Sequence, residues 1–405
     1  MSFKYIKVKT KGQIEGEKLL VPKLRFKEFN NQWRKIKLKD ISTDISYGMN
    51  SAATEYDGFN KYIRITDIDE ETSLYNNNPV SPSGNLYDKF LVKDNDILFA
   101  RTGASTGKAY LYNKTDGKLY FAGFLIRANI KKDYNSRFIF EQTKLGKYNN
   151  WVKIMSIRSG QPGINSIEYG NYEFSITHID EQKKIANVIE LVNKKIELQN
   201  RKIEALKIYK RGLIQKIYQT NYNNKIKMKE ILIQKSIRNT NDKKYNVYSV
   251  SNKDGFILQT EQFKERMVAS EDTRNYKVVE KDDFAYNPAR INVGSIARMK
   301  QDIKGIISPM YICFKCNEKI IPEYLEYFFE SSKFTYEMNK RLEGSVRMCL
   351  SYESMLNISI ELPNKNEQEK TSEILKSLSQ KIKKEEKKYM ELNMLKKGLL
   401  QKMFI

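Results

Sequence analysis

The amino-acid sequence contains two related copies of one segment, and this duplication restricts the fold more than any other feature. Residues 181–184 (Glu-Gln-Lys-Lys) align with residues 367–370 (Glu-Gln-Glu-Lys), 186 positions later. At the same displacement, residues 210–218 align without a gap with residues 396–404, and the two segments are nearly interchangeable. We therefore predict two similar scaffolds that carry two different surfaces.

Each copy begins with a segment in which strand and helix patterns are mixed. Residues 35–41 resemble residues 225–231 near the start of the two copies. Short apolar runs at 97–100 and 310–314 predict buried strands. A helical pattern opens at Pro322, a residue that is favoured in the first turn of a helix. We therefore predict an α+β fold with two similar domains.

Each copy ends in a lysine-rich segment with the periodicity of a long helix. Apolar residues recur every seven positions, interrupted by Gln199 in one series, and this spacing is typical of a coiled coil. A helix of about 40 residues is roughly 60 Å long and exceeds the size of one such domain, so we predict that the two helices pack on each other. The predicted pairing residues are Ile185, Ile189, Val192, Ile196, Ile203, Leu206 and Leu213 in the first helix, and Leu375, Leu378, Ile382, Leu392 and Leu399 in the second.

The chain is strongly basic. Its 72 Lys and Arg residues outnumber 49 Asp and Glu residues, which gives a net charge of +23 and favours a polyanionic partner. No apolar run reaches the roughly 18 residues of a membrane-spanning helix. The first residues lack the apolar core of a secretion signal, and the three cysteines fit a reducing compartment. We therefore predict a cytoplasmic protein that binds nucleic acid and no membrane.

Sequence patterns for catalysis and for metal binding are incomplete. His178 is the single histidine, and Cys313 with Cys316 supplies only part of the four ligands that a closed zinc site needs. Residues 103–108 have three residues between the glycines where a phosphate-binding loop has four. Residues 287–290 (Asn-Pro-Ala-Arg) match the Asn/Asp-Pro-Pro-aromatic motif of DNA methyltransferases only in part. We predict no catalytic residue, metal site or bound cofactor in this chain.

Polar and basic loops at the predicted strand ends are the remaining candidates for function. Their arginine, asparagine, glutamine, serine and threonine side chains are the types that hydrogen-bond to base edges and phosphates. Such loops occur at corresponding places in both copies, which favours DNA binding over a set of ordinary surface turns. The candidate DNA-binding residues are Arg101, Thr102, Gly103, Lys108, Arg158, Ser159 and Gln161 in the first copy, and Arg290, Asn292, Arg298 and Arg347 in the second.

Over residues 21–405, the order of these elements resembles the order found in the specificity subunits of type I restriction-modification enzymes. Residues 21–26 (Val-Pro-Lys-Leu-Arg-Phe), followed by Trp33, resemble the opening segment of that family. Residues 101–103 (Arg-Thr-Gly) resemble its arginine-glycine loop, and residues 159–161 (Ser-Gly-Gln) resemble its serine-glycine-glutamine loop. The two helices that start with Glu-Gln complete the resemblance.

The second copy departs from the family pattern in both loops. Residues 290–292 (Arg-Ile-Asn) stand at the position that we assign to the arginine-glycine loop, and residues 345–347 (Ser-Val-Arg) stand at the other loop. The resemblance implies two target-recognition domains held apart by an antiparallel coiled coil of the two helices. The resulting segments are a basic extension at 1–20, recognition domains at 21–178 and 220–365, a central helix at 179–219 and a C-terminal helix at 366–405.

The resemblance also implies a function. Each recognition domain would read one half of a split double-stranded DNA site, with the helices as a ruler between them. Two modification subunits would methylate the DNA with S-adenosylmethionine, and restriction subunits would translocate and cleave it with ATP and Mg²⁺, so this chain itself would be non-catalytic. The alternatives are a standalone DNA methyltransferase and a non-specific nucleic-acid-binding coiled-coil protein. A methyl-donor assay of the isolated chain and competition between duplex DNA and RNA would distinguish them.

Overall fold

The fold consists of two compact units. Unit 1 comprises Met1–Leu198 with Tyr389–Ile405, and unit 2 comprises Gln199–Lys388. Both units combine sheets, short helices and parts of two long helices, as the α+β prediction requires. The computed structural model describes residues 5–7, 20–157, 160–220, 222, 224–252, 254–262, 272–344 and 348–405.

Unit 1 is built around a four-stranded antiparallel sheet. Its strands are β1 (Tyr5–Lys7), β2 (Leu24–Phe26), β3 (Arg34–Lys37), β4 (Ser42–Tyr47), β5 (Ala53–Thr54), β6 (Lys61–Ile63), β7 (Ser81–Pro82), β8 (Asp96–Ala100), β9 (Ala109–Leu111), β10 (Leu119–Phe121), β11 (Leu125–Ile130) and β12 (Glu173–Ile176). Its helices are α1 (Leu38–Ile41), α2 (Ser136–Gln142), α3 (Gly146–Met155), α4 (Ser166–Gly170) and the first part of α5 (Ile179–Gln219). The main sheet has the order β4-β11-β8-β9, while β6 pairs with β10 in parallel and β3 pairs with β12 antiparallel.

Unit 2 repeats this plan with additions. Its strands are β13 (Lys225–Lys227), β14 (Leu232–Gln234), β15 (Asn246–Ser251), β16 (Gly255–Leu258), β17 (Lys277–Val279), β18 (Phe284–Tyr286), β19 (Ile296–Arg298), β20 (Gly305–Ile307), β21 (Ile312–Cys316) and β22 (Ser359–Glu361). Its helices are α6 (Gln259–Gln262), α7 (Pro322–Phe329), α8 (Ser332–Asn339), α9 (Tyr352–Leu356) and much of α10 (Lys365–Met403). One sheet has the order β14-β21-β18-β19, and a second has the order β16-β15-β20-β17.

The two units share one topology, which confirms the duplication. The order β4-β11-β8-β9 corresponds strand by strand to β14-β21-β18-β19, and the β3–β12 pair corresponds to β13–β22. The parallel pair of β6 and β10 corresponds to β15 and β20, to which unit 2 adds β16 and β17. Helices α2, α4 and α5 begin 186 positions before α7, α9 and α10. The repeat therefore includes the sheets, although sequence similarity there is weak.

A buried glutamine fixes the start of each long helix. In unit 1 the Oε1 atom of Gln182 accepts a hydrogen bond from the backbone N–H of Asn135 at 3.0 Å. In unit 2 the Oε1 atom of Gln368 accepts one from Ile321 at 2.9 Å. Both glutamines also donate to a backbone carbonyl five residues earlier. The repeated Glu-Gln motif thus ties α5 to the start of α2 in unit 1 and α10 to the start of α7 in unit 2.

The predicted pairing residues of α5 and α10 are all buried or half-buried. Ile185, Ile189, Val192, Ile203, Leu375, Ile382 and Leu399 are buried, and Ile196, Leu206, Leu213, Leu378 and Leu392 are half-buried. Within unit 1, the end of α10 and the start of α5 share one apolar core. Within unit 2, Lys202 pairs with Glu385 while Leu213 lies beside Ile374, so the helices run antiparallel there.

A polar contact interrupts the helix seam inside unit 2. The Nε2 atom of Gln199 donates to the backbone oxygen of Glu385 at 2.9 Å and to its Oε2 atom at 2.7 Å. The hydrogen bond from Gln199 and the ion pair with Lys202 lower the pKa of Glu385 to about 2. Since a polar residue in a seam specifies register, this contact favours one alignment of the two helices.

A buried ion pair joins the N-terminal strands to α5 inside unit 1. The Nε and Nη2 atoms of Arg25 donate to the two carboxylate oxygens of Glu181, each at 2.7 Å. The Arg25 side chain is 3% exposed and that of Glu181 is 1% exposed. Arg25 itself belongs to β2, which pairs with β1, a strand within the predicted extension. Among the described residues, no helix is both long enough and apolar enough to cross a bilayer.

Candidate nucleic-acid interface

Two loops that the sequence identifies as DNA-binding candidates lie side by side in unit 1. The backbone N–H of Gly103 donates to the oxygen of Pro162, and the N–H of Ile164 donates to the oxygen of Arg101, both at 2.9 Å. Thr102 and Gly163 form an antiparallel bridge between these hydrogen bonds. The segment just after β8 and the segment just before α4 therefore form a single surface feature, which we call the ridge of unit 1 (residues 101–103 and 161–164).

The Arg101 side chain extends from this ridge along an aromatic ring. Its Cζ atom lies 5.0 Å from the centroid of the Tyr47 ring. Within the described parts of the chain, Arg101 forms no ion pair with a carboxylate. The two side chains line a cleft of 670 Å³, together with Asn50, Arg64 and Phe124. Arg64 is held by both oxygens of Asp67, so Arg101 is the arginine of the cleft lining whose charge stays available.

Other predicted residues of the first copy lie around the same ridge. The exposed Gln161 side chain packs over Gly103, whose φ is +77°. Lys108 is 13% exposed, and its Nζ atom lies 3.7 Å from the Oε1 atom of Glu70, so its charge is partly balanced. Arg158 and Ser159 lie outside the described residues.

The turn that leads back from this ridge depends on a glycine. Gly107 has a φ of +91°, and its N–H donates to the oxygen of Ala100 at 3.0 Å. The buried hydroxyl of Tyr148 donates to the Gly107 oxygen at 2.8 Å. Gly294 occupies the corresponding turn in unit 2 with a φ of +90°.

Replacing Gly107 by alanine should destabilise unit 1 more than Gly294→Ala destabilises unit 2. The left-handed backbone costs a residue with a Cβ about 1–2 kcal/mol at both sites. At Gly107 the new Cβ would lie 2.6 Å from the Cγ1 atom of Val152, whereas at Gly294 the nearest atom, in Asn252, is 3.9 Å away. Overpacking adds about 1–3 kcal/mol at Gly107 alone. Urea unfolding of the two variants measures the difference, and equal losses would contradict the steric argument.

The ridge of unit 2 is built differently, which corrects our alignment of the two copies. The N–H of Asn287 donates to the oxygen of Ser295, as the N–H of Ala100 donates to the oxygen of Lys108 in unit 1. The counterpart of Arg101 is therefore Pro288, and the alignment of 290–292 with the Arg-Thr-Gly loop is wrong. Arg290 and Asn292 both lie within a short 3-10 helix, Pro288–Val293, and both are exposed.

Arg298 has a structural role, so the prediction that it binds DNA is corrected. Its side chain is 8% exposed. The guanidinium pairs with Asp282, with the Oε1 atom of Glu323 at 2.8 Å and with the Oε2 atom of Glu326 at 3.0 Å. These three carboxylates balance the charge of a nearly buried side chain, which is the environment of a structural arginine. Arg347, the remaining candidate in unit 2, lies outside the described residues.

Aromatic residues at the cleft are the part of the site that the sequence analysis missed. Tyr47 ends β4, and Phe124, which is 60% exposed, lies in the turn between β10 and β11. Each adjoins a glycine at a close backbone approach, since a Cβ on Gly48 would lie 2.2 Å from the oxygen of Ala122. The sequence signal is the repeated pairing of a glycine with an aromatic residue, Tyr47-Gly48 and Gly123-Phe124.

Three residues, His178, Cys313 and Cys316, were considered for catalysis or metal binding. His178 is exposed, and its Nδ1 atom is 3.2 Å from a carboxylate oxygen of Asp180. Burial raises the pKa of the Cys313 and Cys316 thiols to about 12 in each case. Among the described residues, no three His, Cys, Asp or Glu side chains come together as metal ligands.

Comparison with known proteins places both copies in one family. The model of the type I restriction modification DNA specificity domain matches residues 30–207 and again residues 224–394. The type I restriction enzyme MjaVIII specificity subunit of Methanocaldococcus jannaschii is 24% identical over 344 residues, covering 75% of this chain and 77% of that protein.

Solved structures share the fold over nearly the whole chain. The crystal structure of a type I restriction-modification S subunit from M. genitalium has a TM-score of 0.58 at 18% identity and covers 95% of this chain and 99% of its own. A chain from a structural study of complex assembly in the type I R-M system has a TM-score of 0.55 at 13% identity, with 92% and 97% covered. These similarities confirm the predicted fold class. With two matches to one family model, the chain belongs to the type I restriction modification DNA specificity family.

Proposed function

We propose that the two units each read one half of a bipartite double-stranded DNA site for a type I restriction-modification complex. The observation that carries this proposal is the ridge of unit 1, which presents the exposed Gln161 together with Arg101, a guanidinium that lies on the Tyr47 ring and pairs with no carboxylate among the described residues. Arginine donates two parallel hydrogen bonds to guanine in the major groove, and glutamine forms a corresponding pair of hydrogen bonds with adenine. The net charge of +23 supplies the attraction to phosphates.

The proposal assigns catalysis to other subunits. Two modification subunits with S-adenosylmethionine methylate the DNA, restriction subunits with ATP and Mg²⁺ translocate and cleave it, and the complex works in the cytoplasm. Residues 21–178 and 220–365 are the recognition domains, and the length of α5 and α10 sets the spacer between the half-sites. Exposed apolar side chains on the helix segments of unit 1, Leu198 at 64% and Met394 at 66%, support docking of a modification subunit there.

Mapping of methylated bases in cells that express the full complex tests the assignment. Arg101→Ala should relax base selection at one half-site by about 1–3 kcal/mol and leave the other intact, because each unit reads separately. Arg290→Ala should do the converse. Arg34→Ala, which removes an exposed arginine from β3, is the control and should leave both half-sites unchanged. A single substitution that relaxed both half-sites equally would contradict the proposal of two readers.

A further inference from the structure

Strand register brings Tyr47 and Arg101 together across unit 1. Tyr47 pairs with Ile126 of β11, and Ile126 pairs on its other side with Phe99 of β8. Two strand spacings separate β4 from β8, about 10 Å, which is more than backbone contact allows. The Tyr47 ring spans this gap and meets the guanidinium of Arg101, with 5.0 Å between the Cζ atom and the ring centroid.

The Tyr47 ring is held at both ends. Its backbone belongs to the β4–β11 ladder, and its hydroxyl accepts a hydrogen bond from the backbone N–H of Ser166 at 3.1 Å. Ser166 is itself fixed, since it begins α4 after Asn165, whose Oδ1 atom accepts from the N–H of Glu168 at 2.9 Å. Such a ring is a rigid platform. A flexible arginine that lies on it keeps fewer side-chain orientations than a free one.

At the described positions that correspond to Tyr47 and Arg101, unit 2 has neither an aromatic residue nor an arginine. The counterpart of Arg101 is Pro288, as the hydrogen bonds of the two turns establish. Continuing the register of β14 and β21 by two residues places Ser236 at the position of Tyr47. Because the shared scaffold forms without the aromatic residue and without the arginine, neither is a requirement of the fold. Their joint occurrence in unit 1 points to a role that belongs to the surface of unit 1.

We propose that Tyr47 is a positioning residue that orients the Arg101 guanidinium towards a base edge of the half-site read by unit 1. The inference rests on the proposed function. The site is the cleft lined by Tyr47, Asn50, Thr66, Arg101 and Phe124, and its ligand is a base-pair edge of duplex DNA. An arginine that is already oriented loses less conformational freedom on binding, so its two parallel donors discriminate more sharply between bases.

The test compares substitutions at Tyr47 and Arg101 in the complete methyltransferase complex. Methylation rates are measured on duplexes that carry each base at each half-site position. Tyr47→Leu should lower discrimination about 2- to 30-fold at the position that Arg101→Ala relaxes, the range of a lost cation–π contact. Tyr47→Phe retains the ring and should retain most of the discrimination. In the background of Arg101→Ala, Tyr47→Leu should add nothing, because the two residues act as one unit.

A structural role of Tyr47 predicts a different pattern. It would lower the unfolding temperature and all methylation rates alike, without a change in base preference. Tyr47→Ser, which copies the residue of unit 2, provides a second variant if Tyr47→Leu does not fold. Unchanged selectivity in folded Tyr47→Leu or Tyr47→Ser, additive effects in the double variant, or no effect of Arg101→Ala would each overturn the inference. A wild-type complex that methylates no bipartite site would instead refute the proposed function.

Discussion

Arg25→Ala is expected to lower the free energy of unfolding of unit 1 by about 3–5 kcal/mol, because it leaves the carboxylate of Glu181 buried without its partner. Both carboxylate oxygens of Glu181 are bound by Arg25, and the pair is almost fully excluded from solvent. Trp33 and Trp151, the two tryptophans of the chain, both belong to unit 1, so tryptophan fluorescence during urea unfolding reports on this unit.

An exposed ion pair of the same unit is the control for Arg25→Ala. Lys35 and Glu173 lie 3.0 Å apart with side chains that are 59% and 45% exposed. Lys35→Ala should change the free energy of unfolding by about 0–1 kcal/mol, since solvent screens such pairs. The double variant Arg25→Met/Glu181→Leu should recover most of the loss, because it removes both buried charges. A loss below about 1 kcal/mol for Arg25→Ala would show that Glu181 is neutralised or solvated without it.

The duplication and the two long helices were predictable because their signals are periodic or local. A displacement of 186 positions and a seven-residue repeat can be read from one chain. The two helices, Ile179–Gln219 and Lys365–Met403, lie where these signals predict them. Pairing of the loops at Arg101 and Gln161 was not predictable. It is a backbone contact between two loops far apart in the sequence, and the pattern of apolar residues within a strand or helix does not specify such a contact.

The two corrections in unit 2 have separate physical causes. Arg290 was aligned with Arg101 by residue type, whereas the hydrogen bonds of the turn show that a proline occupies that position and that the arginine lies in a short helix. Arg298 was assigned to DNA because a lone arginine near a loop resembles a phosphate ligand. Its three carboxylate partners come from a neighbouring turn and from α7, so the charge balance depends on tertiary contacts.

Insertion of equal segments into both long helices should change the spacer of the recognised DNA site and leave its half-site bases unchanged. The positions are between Leu198 and Gln199 in α5 and between Lys388 and Tyr389 in α10, where one unit ends and the other begins. Contacts inside each unit, including that of Gln199 with Glu385, are thereby retained. Four residues in each helix add about 6 Å along the helix, or one to two base pairs of DNA at about 3.4 Å each.

A seven-residue insertion in both helices is the matched variant, because a full heptad preserves the apolar seam whereas four residues preserve it only in part. It adds about 10 Å, so the spacer should lengthen by about three base pairs. Insertion of seven residues into α5 alone should instead mismatch the pair and reduce stability. Mapping methylated bases for each variant complex gives half-sites and spacer in one measurement. Altered half-site bases with an unaltered spacer, in a folded and active variant, would mean that the helices shape the readers and do not set their separation.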